Sequence, residues 1–322
     1  MSASCPVCLQ NRTVFFGQGA DYLFETTDET FSLQSCSDCH CLFLDPMPGP
    51  EKIASFYPPS YWWDGSRPGF LRKLEGVYRR LALFDHVSFI GRAARKSVAA
   101  GERPRILDVG CGPGTVLSLL KARGFEVYGL DASAEASDIA KKEHGIEVTV
   151  GALNDSTFNN DTFDTVVLLH TLEHVRNPHQ VLAQARRVLR PSGRLVLQVP
   201  NVDSIQCRVF GARWYGLDVP RHLIDYSRVS LLGLLEASGF KVEHVRHFNF
   251  RDNAPALASS LFPSLDPVSR AVRRRSSSAE SRVGTWLRHL AYLSTVLLSY
   301  PPAVLEAAMG RGATLMVQAR KK

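Results

Sequence analysis

The sequence predicts an α/β fold: a mostly parallel sheet covered by helices, preceded by a small module built around four cysteines. Three observations carry this expectation. Short apolar runs alternate with helical periodicities through the middle of the chain, the pattern of a parallel sheet with helices on both faces. One such run, Arg105-Ile-Leu-Asp-Val-Gly-Cys-Gly-Pro-Gly-Thr115, leads directly into glycines at alternate positions. Finally, Cys5-Pro-Val-Cys8 is answered by Cys36-Ser-Asp-Cys39.

The glycine segment is the most informative of these. Gly110, Gly112 and Gly114 permit positive φ and remove Cβ atoms that would block a ligand from the backbone. Asp108 sits two residues before the first glycine, where a carboxylate suits a cation such as an amino-acid ammonium better than a pyrophosphate. Dinucleotide folds of the Gly-x-Gly-x-x-Gly type need a third glycine where this chain has Thr115. The spacing therefore favours S-adenosylmethionine over NAD. Glu126-Val-Tyr-Gly-Leu-Asp131 reads as the next strand, and a carboxylate at its end can accept hydrogen bonds from both hydroxyls of a ribose. Asp131 would serve either cofactor class.

These residues, with Phe163–His170, Leu172–Pro178 and Arg190–Pro200, resemble the class I S-adenosylmethionine-dependent methyltransferases. The resemblance covers residues 103 to 247 and the last strand. It implies a Rossmann-like sheet, mostly parallel with the last strand antiparallel. It also implies a cofactor site formed by Asp108, Gly110, Cys111, Gly112, Gly114, Asp131, Ala132, Leu153 and His170.

Ahead of this unit, residues 1–45 read as a zinc ribbon. The two Cys-x-x-Cys knuckles can supply four thiolates (Cys5, Cys8, Cys36, Cys39) to a tetrahedral ion, with Thr13-Val-Phe-Phe and Thr30-Phe-Ser-Leu as strands between them. A module this short and polar has little core without metal. A redox dithiol is the alternative, though no catalytic βαβ context accompanies it. Zinc held by four thiolates has no open position, so its role is structural; His40 and Cys41 are left over. Residues 46–102 read as a proline-rich linker and a helical lead-in. The aromatic cluster Phe56–Trp63 is either a docking surface for the ribbon or part of a substrate lid, and a helix spans Leu71–Ala100.

Within the unit at 103–322, helix signals are local and readable. Thr115–Arg123 is stopped by Gly124, and Asn177-Pro178 supplies an N-cap followed by proline at N1. Val181, Leu182, Ala185, Val188 and Leu189 form an apolar face ended by Pro191-Ser-Gly193. Ser227 caps a helix with Leu231, Leu232 and Leu235 inward and Gly239 at its end. Lys241–Arg246 and Ala313–Ala319 are the closing strands. Between those strands lies an insert, residues 248–312.

The insert also concentrates the charge. Net charge is +7, yet residues 270–322 hold ten Lys/Arg and two acids, leaving the remainder nearly neutral. A nucleic-acid surface usually spreads basic residues along a domain face, so nucleic acid is not expected as a partner. Leu290–Leu305 carries no Lys, Arg, Asp or Glu but is interrupted by Pro301-Pro302, too short and broken to span a membrane. With Arg273-Arg-Arg275 nearby, residues 270–305 read as a peripheral membrane contact, with a core helix or dimer face as the alternatives. No basic-then-apolar leader stands at Met1, so the expected location is cytoplasmic, with the inner membrane face as an extension.

Substrate residues are sought after the fourth and fifth strands of the unit, because such folds build sites at the carboxyl ends of strands. Arg221-His-Leu-Ile-Asp-Tyr226 puts His222 and Tyr226 four residues apart, so that they can share one face of a turn. This segment resembles the His-Glu-His-x-x-Tyr type of bacterial deoxysugar C-methyltransferases, which also carry an N-terminal zinc ribbon. Only His222 and Tyr226 align, Pro220 and Arg221 standing where that pattern has His and Glu. A closer resemblance is to zinc-ribbon methyltransferases of bacterial cell-surface saccharide synthesis. His222 is thus the candidate base, with a structural histidine as the alternative; Glu173 and His174 are candidates from the fourth-strand loop, with capping and packing as theirs. The expected function is methyl transfer to a small-molecule or glycan acceptor, the saccharide being lipid-linked in one version. An RNA methyltransferase and a cofactor-binding scaffold without turnover are the alternatives.

Overall fold

A computed structural model describes residues 4–57, 81–274 and 282–322. Seven strands form the central sheet: β4 (Arg105–Val109), β5 (Glu126–Asp131), β6 (Val148–Val150), β7 (Phe163–Leu169), β8 (Leu189–Pro200), β10 (Phe240–Arg246) and β11 (Thr314–Lys321), ordered β10-β11-β8-β7-β4-β5-β6. Strands β4 to β8 pair in parallel, and β11 runs antiparallel between β8 and β10. The order reverses at β4, which opens a crevice at the carboxyl ends of β4 and β7. Every residue of β7 is buried, as expected for a central parallel strand covered on both faces.

Three of the predicted helix boundaries hold, but the helix expected to run to Pro191-Ser-Gly193 stops at Val188, and Leu189 with those three residues belongs to β8. Gly124 sits at φ +87° beyond α3 (Thr115–Lys121), and the Asn177 side chain accepts from the Gln180 amide at the start of α5 (Pro178–Val188). Ser227 forms a capping box with Ser230 on α7 (Arg228–Ala237), whose inward residues are Leu231, Leu234 and Leu235, with Leu232 only half-buried. The remaining helix of the sheet's cover between α3 and α5 is α4 (Ala134–His144), and α2 (Phe84–Arg95) lies before β4. Residues 71–80 of the predicted lead-in helix lie outside the described residues, as do Tyr61, Trp62 and Trp63.

A second sheet holds β1 (Thr13–Ala20), β2 (Thr30–Cys36) and β3 (Leu42–Leu44), the ribbon read from the cysteine spacing. Its fourth strand is β9 (Ile224–Asp225), from the loop after β8, with Leu42 opposite Asp225 and Phe43 opposite Ile224. The ribbon is thereby built into the loop that carries His222. Further ties run from His179 on α5 to the Val7 carbonyl (2.9 Å) and from the Ser227 hydroxyl to the Cys39 carbonyl (2.7 Å). Short helix α1 (Pro50–Ser55) leads to Phe56, which is buried and packs edge-on against Phe31.

The insert is helical, with α8 (Asn253–Leu261), α9 (Pro267–Arg274) and α10 (Arg282–Ala308). Contrary to expectation, α10 continues through Pro301 and Pro302, which deny backbone donors to the carbonyls four residues earlier, at exposed Leu297 and Leu298. Its inner stripe, Val296, Ser299, Ala303 and Glu306, is buried, with Val296 and Ala303 in a small apolar cluster with Ala254 and Ala258. No helix among the described residues is long and apolar enough to cross a membrane. Arg275 lies outside the described residues.

Candidate functional site

The glycine loop turns from β4 into α3 at the sheet's switch point. Gly110, Gly112 and Gly114 all take positive φ, at 75°, 52° and 74°. At Gly110 the demand is doubled, because a Cβ there would lie 2.5 Å from the Thr171 hydroxyl. Asp131 closes the far side of the loop: its Oδ2 accepts from the Gly112 amide (2.7 Å) and its Oδ1 from the Ser133 amide (2.9 Å). Each oxygen retains capacity for a further donor, as a ribose diol requires. Asp108 is buried, and its Oδ1 has no hydrogen-bond partner. Burial, and secondarily the charge of Asp131, push the Asp108 carboxyl up to about 8. A buried orphan acceptor of this kind is costly alone and is relieved by a cationic donor. The orphan oxygen, the Cβ-free loop and the two-oxygen acceptor together fit the ammonium and ribose of S-adenosylmethionine.

Of the other cofactor candidates, Cys111 is half-buried on the loop and Ala132 is exposed directly after Asp131. Leu153 is buried beyond β6, where the Gly151 amide donates to the Asp131 carbonyl (2.8 Å). His170 ends β7 at φ +50°. Its Nδ1 lies 3.1 Å from Glu173 Oε1 and its Nε2 3.4 Å from Asp252 Oδ2. Burial alone would lower it, but Asp252 and Glu173 outweigh burial and raise it to about 9. Asp252 comes from the insert, is held also by Gln198 (2.6 Å), and faces His86 on α2 at 3.6 Å.

Next to this pair, the loops after β7 and β8 meet. His222 Nδ1 is 3.1 Å from Asp225 Oδ1, and its Nε2 is 3.9 Å from Glu173 Oε1. The His174 ring packs edge-on against His222, centroids 4.7 Å apart, with its Nδ1 3.0 Å from the Arg221 carbonyl and 3.1 Å from the Tyr57 hydroxyl. Burial and the neighbouring His222 lower His174 to about 4. For His222, burial opposes charge, but Asp225 and Glu173 raise it overall. Burial likewise drives Asp225 up to about 6, against the pull of His222.

Two expectations need correction. His222 and Tyr226 do not share a helical turn, because Ile224–Asp225 is the strand β9. Tyr226 is fully buried and its hydroxyl donates to the Leu172 carbonyl (3.2 Å), which withdraws it from the catalytic candidates. Glu173, a site candidate with capping and packing as its alternatives, spends Oε1 on His170 and leaves Oε2 buried without a partner. Arg221 is fully buried and binds Asp21 of the ribbon (2.7 and 3.0 Å) and Asp218, fixing the segment before His222. Asp225, Asp252 and Arg221 were not anticipated. Asp225 alone had a local signal, three residues after His222.

The four knuckle cysteines converge as predicted. Their sulfurs all lie within 4.8 Å of one another, with Cys5–Cys39 at 3.6 Å and Cys8–Cys36 at 3.5 Å, and none is in a disulfide. Bonds of about 2.3 Å in a tetrahedral thiolate site separate sulfurs by slightly more than this, so the donor set fits an ion without rearrangement. Cys41, left over in the sequence, is buried 3.4 Å from Cys5 and 3.5 Å from Cys39. His40 is exposed at φ +62°.

The family match agrees with this geometry. Residues 76–245, just over half of the chain, match the family described as "Methyltransferase domain". An "Uncharacterized 37.1 kDa protein in transposon TN4556" of Streptomyces fradiae is 36% identical over 154 residues, 42% of this chain and 45% of that protein. The chain thus spans less than half the length of that relative. A "Ubiquinone biosynthesis O-methyltransferase" of Maricaulis maris (strain MCS10) is 29% identical over 193 residues, 55% of this chain and 72% of that protein. Among solved structures, a SAM dependent methyltransferase from Archaeoglobus fulgidus gives a TM-score of 0.49 at 16% identity, covering 79% of this chain and 100% of that chain. By its family match, its sheet order and its glycine loop, the chain belongs to the methyltransferase domain family, as a class I S-adenosylmethionine-dependent methyltransferase.

Proposed function

We propose that the protein methylates a hydroxyl oxygen of a small-molecule or saccharide acceptor. The observation that carries this reading is His222. A carboxylate can only accept, so Asp225 holds the proton on Nδ1 and leaves neutral His222 a lone pair on Nε2, 3.9 Å from Glu173 Oε1. Methyl transfer from a sulfonium is a direct displacement with a good leaving group, and S-adenosylmethionine supplies that electrophilic methyl. What remains for the protein is to align the acceptor, exclude water and draw the hydroxyl proton away. Asp131 and Asp108 orient the cofactor, while His222 takes the proton. The similarity to the Maricaulis relative, a ubiquinone biosynthesis O-methyltransferase, supports an oxygen acceptor. Incubation with methyl-labelled cofactor and fractionated cell extract tests the reading. Label should enter the lipid or small-molecule fraction, whereas label in RNA would favour the alternative enzyme and no label a scaffold.

The same reading includes structural zinc at Cys5, Cys8, Cys36 and Cys39, and a peripheral lipid contact at α10. The latter is supported by the outer face of α10, where Trp286, Leu287, Leu293, Leu297 and Leu298 are exposed, Trp286 by 61% and Leu298 by 77%. A helix with exposed apolar residues opposite its covered stripe is suited to a second apolar partner. An anionic membrane surface suits a segment carrying the local charge excess of residues 270–322. The protein should co-sediment with anionic liposomes at low salt, and Leu297→Glu should abolish this. Wild-type protein that stays in the supernatant contradicts the lipid contact.

A further inference from the structure

Glu173, His174 and His222 share a property that methyl transfer alone does not demand. Each histidine spends Nδ1 on an acceptor: His174 on the Arg221 carbonyl at 3.0 Å, His222 on the Asp225 carboxylate at 3.1 Å. A carbonyl or carboxylate cannot donate, so in the neutral rings both Nε2 atoms carry lone pairs. Glu173 is fully buried, and its Oε2 has no hydrogen-bond partner. One ligand atom from each of the three residues lies within 4.8 Å of the others. A histidine whose far nitrogen is fixed by a carboxylate or carbonyl is the usual second layer of a metal site.

Charge points the same way. Glu173 and Asp225 are the carboxylates beside His222, at 3.9 and 3.1 Å, whereas Asp252 is engaged by His170, His86 and Arg251. A divalent cation therefore finds two carboxylates beside the imidazoles. Metal–nitrogen and metal–oxygen bonds of about 2.1 Å place ligand atoms roughly 3–4 Å apart, so a small inward turn of the side chains completes the set.

We propose that Glu173, His174 and His222 bind a divalent first-row transition metal ion, separate from the four-thiolate site. Two imidazoles and one carboxylate leave open positions, and His174 is the partly exposed member through which a ligand enters. A hydroxyl coordinated at such a position is acidified by the ion. This inference rests on the reading that the acceptor is activated at this cluster and changes the means: in the loaded protein the His222 lone pair is given to the ion. The proton of a coordinated hydroxyl then leaves to water.

Cobalt(II) titration of the full chain, read by absorption and without acceptor or cofactor, tests the site. Protein already holding zinc at the cysteines should take up one further equivalent with no thiolate-to-cobalt charge-transfer band. Glu173→Gln and His174→Ala should each lose that equivalent. Asp225→Asn should keep it at roughly 10–100-fold weaker affinity, the usual cost of losing an outer-layer partner. His174, the partly exposed ligand, is the variant least exposed to misfolding, and its circular dichroism should match the wild type. No further equivalent in the wild type, or its retention in folded His174→Ala, overturns the site. Because no acceptor is present, such a failure leaves the methyl-transfer reading intact.

Discussion

His222→Ala should lower turnover by roughly 10²–10⁴-fold, the range that a positioned base contributes, with S-adenosylmethionine affinity unchanged. The two effects separate because the cofactor residues Asp108, Gly112 and Asp131 lie on β4, β5 and their loop, whereas His222 belongs to the loop after β8. The prediction holds whether the Nε2 lone pair takes a proton or an ion. Asp225→Asn should fall between the variant and the wild type, since the imidazole remains but its tautomer is no longer fixed. Single-turnover rates with calorimetric cofactor affinities check this. Parallel losses in rate and affinity would instead make His222 a packing residue.

Removing the metal from the cysteine site should have the larger effect on folding. Structural zinc in isolated fingers contributes about 10–16 kcal/mol to folding, because the unfolded chain has no preformed site. In this chain the damage should not stop at the ribbon. Arg221 is buried between Asp21 and Asp218 and lies over the Phe24 ring, 4.4 Å from its centroid. Loss of the ribbon strips it of Asp21. Breaking a buried ion pair costs about 3–5 kcal/mol, toward the lower end here because Asp218 remains. Strand β9 loses its partner β3 at the same time, so the His222 loop should loosen. We therefore expect one tightly held zinc per chain by elemental analysis, and Cys36→Ser should lower both the melting temperature and turnover. Reduced, purified protein without zinc contradicts this account.

How much of this was legible depends on distance along the chain. The glycine loop, the Asn177 and Ser227 caps and the cysteine knuckles are local devices, each made by residues within a few positions, and all appear where read. The β9–β3 pairing, the Arg221–Asp21 pair and Asp252 beside His170 are different. They join residues 80 to 200 positions apart, and no periodicity records such a meeting. Tyr226 was misread for a related reason. The four-residue spacing reads as one face of a turn, but Ile224–Asp225 is strand, and the buried Tyr226 hydroxyl is spent on the Leu172 carbonyl. Pro301 and Pro302 were overweighted, because the carbonyls they leave unpaired lie on the exposed side of α10.

The central claim is that the chain holds S-adenosylmethionine at the glycine loop through Asp108 of β4 and Asp131 of β5. Calorimetric titration of the wild type and Asp131→Ala tests it most directly. The wild type should bind one S-adenosylmethionine per chain. The variant should lose about 1–3 kcal/mol of that affinity, the cost of removing hydrogen bonds to a charged group. Unchanged affinity in Asp131→Ala, or tight binding of NADH by the wild type, would contradict the account.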